Sequence, residues 1–175
     1  GNLADQKFNI FGGISYSKQN ALAATSRDFA KTAFIPDRGV NKTSGTTFPA
    51  NYNQFDPVTQ TTSASFNPSL PNCAPPNSIP SGGVCRFDYV PFIDIIPEQE
   101  QWSFIAKGSY AVNKDNTFSL EYLQADNTVN TVISPTPLTG LSMNPGSPYF
   151  PVNPAIDAAL PIQLGGRQTS VGGRA

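Results

Sequence analysis

Three stretches of the chain alternate apolar and polar residues with a period of two. That is the signature of half-exposed β-strands. In the first, residues 7–17, Phe8, Ile10, Gly12, Ile14 and Tyr16 share one face. Lys7, Asn9, Gly13, Ser15 and Ser17 take the other, and Phe11 breaks the pattern. In the second, residues 101–112, Trp102, Phe104, Ala106, Gly108, Tyr110 and Val112 fall together. They lie opposite Ser103, Lys107 and Ser109, with Ile105 and Ala111 as apolar exceptions. In the third, residues 117–133, Phe118, Leu120 and Tyr122 alternate with Ser119 and Glu121, and the pattern turns polar beyond Ala125. Between the second and third lies Asn113-Lys114-Asp115-Asn116, a polar turn that predicts an antiparallel hairpin.

Long tracts, 18–100 and 134–175, separate and follow these strands. Both are rich in Pro, Gly, Ser and Asn and read as long loops. Within the first, Ala21 to Ala33 predicts a short helix with Leu22, Phe29 and Ala33 on one side. Phe87 to Ile96 is an apolar, β-branched run that Pro91 and Pro97 confine to an edge or irregular strand.

Composition agrees with a β-rich chain and excludes several classes. Among 175 residues, 14 Gly and 17 Pro leave little room for long helices. With 11 Lys and Arg against 12 Asp and Glu there is no basic footprint for nucleic acid. The absence of His removes the usual neutral-pH acid–base residue and the commonest metal ligand. No apolar run reaches the length of a transmembrane helix. No catalytic constellation can be assembled, so the expectation is a protein that is not an enzyme and holds no cofactor or metal. The opening Gly1-Asn2-Leu3-Ala4-Asp5 reads as a turn and not as a translation start. The expectation is that processing removed an N-terminal part or that the chain is a piece of something larger.

Cys73 and Cys85 flank eleven residues dominated by Pro, Gly, Ser and Asn. A local disulfide in an oxidising compartment is the preferred reading, and two free buried thiols are the alternative. Asp88, Asp94, Glu98 and Glu100 cluster beyond this loop but match no calcium-loop spacing, so they read as exposed loop charge. Gly82-Gly83 and Gly165-Gly166 lack the strand-to-helix context of a phosphate loop. Gly172-Gly173-Arg174 reads as a loop end approaching a strand. The aromatics Phe48, Tyr52, Phe55, Phe66, Tyr149 and Phe150 either pack the loops on each other or meet a ligand, and packing is favoured.

The order of strand, long loop, strand, short turn, strand, long loop has a physical home. Outer-membrane barrels have short turns on one side and long loops on the other, with apolar positions alternating toward lipid. Tyr16, Trp102, Tyr110 and Tyr122 sit near strand ends, where an aromatic girdle would place them. A water-soluble β-sandwich would carry the same pattern on its inner face.

Several stretches resemble the β-barrel portion of TonB-dependent outer-membrane receptors of Gram-negative bacteria. They are Phe8 to Tyr16 followed by Ala21 to Phe29, Cys85-Arg86-Phe87-Asp88-Tyr89 leading to Ile96-Pro97-Glu98, and Glu121-Tyr122. The later loops Pro135-Thr136-Pro137 and Pro145 to Pro151 complete the set. The resemblance implies antiparallel strands of a 22-stranded barrel with very long loops at the cell surface. It implies uptake of a ligand across the outer membrane, with the ligand-binding residues unknown. The plug and TonB box of that family are absent from these residues, so TonB would be reached only through a missing N-terminal part. The implied partners are outer-membrane lipid or the remaining barrel strands.

Strand alternation assigns Phe8, Ile10, Ile14, Phe104, Tyr110, Phe118 and Leu120 to a lipid face. It assigns Lys7, Lys107, Ser109, Ser119 and Glu121 to a lumen face. Isolated from a barrel, such strands would present open edges. Phe8–Tyr16, Phe104–Val112 and Val129–Ile133 are then candidates for cross-β pairing. A self-assembling extracellular β-rich (amyloid-like) filament, a homo-oligomer of this chain, is therefore the alternative function. A secreted soluble β-domain is a third.

Overall fold

A computed structural model describes residues 2–3, 7–56 and 58–168, with the backbone alone of Asn2 and Leu3. The described chain is all-β, and its sheets are antiparallel. In chain order the strands are β1 (Asn2–Leu3), β2 (Phe8–Gln19), β3 (Leu22–Ala23), β4 (Phe34–Ile35) and β5 (Val40–Asn41). Then come β6 (Asn51–Phe55), β7 (Thr62–Phe66), β8 (Ser78–Ser81), β9 (Val84–Phe87) and β10 (Asp94–Ile96). The last are β11 (Glu98–Ala111), β12 (Thr117–Asn130), β13 (Pro137–Met143) and β14 (Ile162–Arg167). The chain divides into two compact units, one of Gly1–Leu22 with Ile95–Thr131, the other of Ala23–Asp94 with Val132–Ala175.

The first unit is one open sheet in the order β1-β2-β11-β12. No closed barrel forms among the described residues. The three periodic stretches are its long strands. Each differs from its expected limits by up to three residues: 8–19, 98–111 and 117–130 in place of 7–17, 101–112 and 117–133. The expected hairpin is present, with Ala111 opposite Thr117 and Glu98 opposite Asn130. Its turn is one residue longer than expected, because Val112 leaves the ladder and donates its N–H to the Asn116 carbonyl at 2.9 Å. The Asn113 side chain holds that turn. Its Oδ1 accepts from the Asp115 N–H at 3.0 Å and from Asn116 Nδ2 at 2.9 Å.

The second unit contains the sheet β13-β14-β6-β7 and the hairpins β4-β5 and β8-β9. The tracts 18–100 and 134–175, which read as loops, thus hold most of the strands among the described residues. Their strands are short, and side chains add hydrogen bonds to those of the ladders. Asn51 shows how: its Nδ2 donates to the carbonyls of Gly45 and Cys85, both at 2.7 Å. Its Oδ1 accepts from the Cys85 N–H at 3.2 Å and from Asn67 Nδ2 at 2.8 Å. Gln54 does the same for the later tract, donating to the Asp157 and Leu160 carbonyls and accepting from the Asp157 N–H at 2.9 Å. Irregular backbone can be buried only when its polar groups are satisfied in this way.

The core lies in this unit. Phe87, Ile162, Cys85, Cys73, Ala24 and Ala33 are buried beside Thr43, Thr47, Asn51, Gln54, Asn67, Ser78, Asp88 and Arg167. Gly82 and Gly83 close the β8-β9 hairpin with φ of 63° and 79°. A two-residue hairpin turn with both angles positive favours glycine, so this pair has a structural reason of its own.

Two local expectations are corrected. Ala21 to Ala33 forms no α-helix: β3 is followed by a single 3-10 turn, Ala24–Ser26. Ala24 and Ala33 are each buried, and the Ala33 N–H is taken by the Asp88 carboxylate at 3.1 Å, so side-chain bonding replaces helical periodicity. Phe87 to Ile96 is not one strand either. β9 ends at Phe87, Pro91 sits in the 3-10 turn Val90–Phe92, and β10 starts at Asp94.

Candidate membrane-facing surface

Register fixes the two faces of the first unit. Tyr110 lies opposite Phe8 and Phe118, Gly108 opposite Ile10 and Leu120, Ala106 opposite Gly12 and Tyr122, and Phe104 opposite Ile14. Directly opposed residues project to the same side of a sheet, so all seven residues assigned to the lipid face share one side. The six of them that are large and clearly open stand between 43% and 71% exposed: Ile10, Ile14, Phe104, Tyr110, Phe118 and Leu120. None of the buried residues of the described chain belongs to this unit. The sheet therefore carries an apolar face that it does not itself bury, interrupted on β12 by Gln124 opposite Phe104 and Asp126 opposite Trp102.

Aromatic pairs mark both ends of that face. At one end Tyr16 and Trp102 lie 4.5 Å apart between ring centroids, and at the other Phe8 and Tyr110 lie 6.4 Å apart. From Trp102 to Tyr110 the strand rises about 26 Å at roughly 3.3 Å per residue. A tilt of about 40° reduces this to about 20 Å of height, against the ~25 Å apolar band of an outer-membrane barrel. Tyr122 departs from expectation. It lies opposite Ala106 in the middle of the sheet, packs 6.1 Å from Phe104, and donates its hydroxyl to Gln124 at 2.8 Å.

Beyond the Tyr16–Trp102 end the same face becomes charged. Lys18 pairs with Glu100 at 2.6 Å and with Glu98 at 3.2 Å. The opposite face is largely polar along its length. Lys107 and Glu121 face each other at 3.2 Å, Ser15 and Ser103 share a hydrogen bond of 2.7 Å, and Ser109 opposes Ser119. Phe11, Ile105, Leu123 and Val129 are the large apolar residues within it. Lys7 lies just before β2, where its carbonyl accepts the Ala111 N–H at 2.8 Å.

The other residues singled out from the sequence fall into place separately. Cys73 and Cys85 form the disulfide, with Cα atoms 5.7 Å apart. The four carboxylates do not make one group of exposed charge. Asp88 is buried and accepts from the Thr32 hydroxyl at 2.5 Å and from the N–H groups of Ala33 and Val90 at 3.1 Å. It is a structural acceptor that ties Thr32 and Ala33 to its own segment, Asp88 to Val90. Asp94 belongs to the same unit, and its Oδ2 is enclosed without a hydrogen-bond partner among the described residues. Glu98 and Glu100 belong to the first unit, beside Lys18. Tyr52 and Phe66 stack at 4.9 Å, as packing residues should, whereas Phe48 and Tyr149 are exposed. Gly165 and Gly166 are strand residues of β14. Gly172-Gly173-Arg174 lies outside the described residues.

Sequence reasoning missed Arg167. It is buried, and among the described residues its guanidinium meets neutral acceptors and no carboxylate: the carbonyls of Thr46 and Pro135 and the hydroxyls of Ser44, Thr46 and Ser134. Burial pushes its pKa below the ordinary arginine value. No periodic pattern surrounds it, so nothing in the sequence marked it.

Comparison of the chain with family models, with curated proteins and with solved structures found no match.

Proposed function

We propose that the chain is a segment of a TonB-dependent outer-membrane receptor, with β2, β11 and β12 crossing the outer membrane as part of its barrel. The observation that carries this reading is the unburied apolar face of the first unit, bounded by aromatic pairs and backed by a polar face. A contiguous apolar face on a soluble monomer is unfavourable. In lipid the same face is satisfied, while Lys107 and Glu121 keep an aqueous lumen. The outer edge of β12 would pair with the next barrel strand, since an open edge cannot stand in hydrocarbon. The parental activity is uptake of a ligand across the outer membrane, driven by TonB through the N-terminal part of the receptor. In this reading the second unit lies at the cell surface, and no enzymatic step is assigned to the chain.

Nitroxide labels at positions 10, 104, 107 and 109 of the chain in phospholipid vesicles test this. Positions 10 and 104 should be open to oxygen and closed to a polar nickel chelate, with positions 107 and 109 reversed. Equal accessibility of both sets overturns the reading.

A second reading, an extracellular filament, is supported by a different feature. β12 is a fourteen-residue edge strand whose residues are all exposed, and it could pair with another copy. Regular filaments seen by electron microscopy without detergent or lipid would favour it.

A further inference from the structure

The second unit contains a cleft of about 480 Å³ lined by residues of β6, β7, β9, β13 and β14 and by the segment Ser44–Thr46. That volume suits a small molecule. The chemistry of its wall is one-sided. Arg86 is the charged lining residue, and no Asp or Glu lines the cleft among the described residues. Arg86 spends Nε and one hydrogen of Nη2 on the Thr43 hydroxyl and carbonyl. A guanidinium has five N–H donors. The Nη1/Nη2 end of this one therefore keeps donors for a planar anion.

Ser44 and Thr46 add another donor, by hydrogen count. Arg167 Nη2 donates to both hydroxyl oxygens at 2.9 Å, and the two hydroxyls share one bond of 2.9 Å. That bond uses one hydroxyl hydrogen. The other is left over, on a wall of the cleft, and its oxygen is polarised by a buried cation. Asn53 directs Oδ1 to the Ser65 hydroxyl at 2.8 Å, which leaves its Nδ2 to donate. Gln163 lines the same wall with an exposed side chain.

We infer that this cleft binds a small hydroxyl-rich carboxylate of the sugar-acid class, its carboxylate on the free end of Arg86 and its hydroxyls on Asn53, Gln163 and the Ser44–Thr46 pair. The inference stands on the second unit alone and does not rest on the barrel reading. A receptor segment, a filament subunit or a soluble domain could each carry the site.

The probes are galacturonate, galactose and acetate, titrated into the full 175-residue chain and followed by backbone amide shifts. Galacturonate should perturb the amides of Asn53, Arg86 and Gln163 at millimolar concentration. Galactose, lacking the carboxylate, and acetate, lacking the hydroxyls, should each bind at least about tenfold more weakly. Asn53→Asp retains an acceptor for the Ser65 hydroxyl, and Gln163→Glu changes an exposed side chain, so both variants should keep the wild-type amide spectrum elsewhere. Each places a negative charge in the cleft and should weaken galacturonate at least about tenfold through like-charge repulsion. Shifts of equal size for galacturonate and galactose, no binding of galacturonate, tighter binding of acetate, or unchanged affinity in both variants would overturn the proposal.

Discussion

The guanidinium of Arg167 lies over the ring of Phe87, with Cζ 4.7 Å from the ring centroid. Both residues are buried, and the contact places a charge on the aromatic face that best accepts a cation. Five neutral oxygens complete the guanidinium's surroundings. Arg167→Met would keep the stem packed on Phe87 and leave the Thr46 and Pro135 carbonyls without a donor. The expected cost is about 3 kcal/mol, the scale of two buried unsatisfied acceptors. Hydrogen exchange at the Cys85 amide, bonded to Asn51 inside the same unit, reads that opening free energy. An unchanged exchange rate would show that Arg167 contributes little to holding the unit closed.

The disulfide acts on the same unit. Cys85 is fully buried and Cys73 nearly so, and the bridge closes a short interval of twelve positions. In the chain-entropy account a loop of that length restricts the unfolded chain by about 3 kcal/mol. Cys73→Ala with Cys85→Ala is expected to lower the stability of this unit by roughly that amount. The first unit contains no cysteine and should be unaffected, so amide exchange along β11 should not change. Accelerated exchange in both units alike would contradict this.

How far the sequence discloses this molecule depends on how each part is held together. β2, β11 and β12 were legible because a two-sided sheet writes its faces into alternate residues, as Phe104 and Lys107 do. The polar turn placed the hairpin but not its register: a four-residue turn would set Val112 opposite Thr117, and Ala111 stands there instead. The second unit was not legible, because Asn51, Gln54, Asn67 and Asp88 hold it by bonding backbone far along the chain. Such contacts leave no period. Ala21 to Ala33 misled for the same reason: Ala-rich composition suggests a helix, and Asp88, fifty-five positions beyond Ala33, decides otherwise. The disulfide was legible from its polar interval. The cleft was not, since its lining comes from residues as distant as Ser44 and Gly165.

Asp56 gives the second unit a pH-dependent loop. Its Oδ1 accepts the N–H groups of Thr59 and Val58, each at 2.8 Å, and these bonds hold its pKa below the ordinary carboxylate value. A carboxyl whose pKa is depressed on folding stabilises the fold above its unfolded value of about 3.9, and that contribution is lost as pH falls through the folded value. Exchange of the Val58 and Thr59 amides, corrected for intrinsic pH dependence, should therefore speed up below about pH 4. Asp56→Asn keeps an acceptor oxygen that does not titrate, so this acceleration should vanish in that variant. Acceleration of the same size in both would assign the effect to another group.

The two faces of the first unit make opposite predictions for the same kind of substitution. Ile10 and Phe104 lie on the apolar face, two residue steps to either side of the Gly12–Ala106 pair at its middle. A charge on the lipid face near the bilayer midplane costs about 2–4 kcal/mol, and far less in a watery lumen. Ile10→Lys and Phe104→Arg should accordingly impair insertion of the chain into vesicles, measured as protection of the β11–β12 hairpin from protease. Ser109→Arg puts a larger cation on the opposite face, beside Ser119 and Asn9, and should insert as the unaltered chain does. Retention of fold is checked separately, through unchanged amide shifts at Cys85 and Asn51 in the second unit. If Ser109→Arg blocks insertion as strongly as Phe104→Arg, the two faces are energetically alike. The apolar face would then be covered by protein, and a filament or a soluble partner would replace lipid as its occupant.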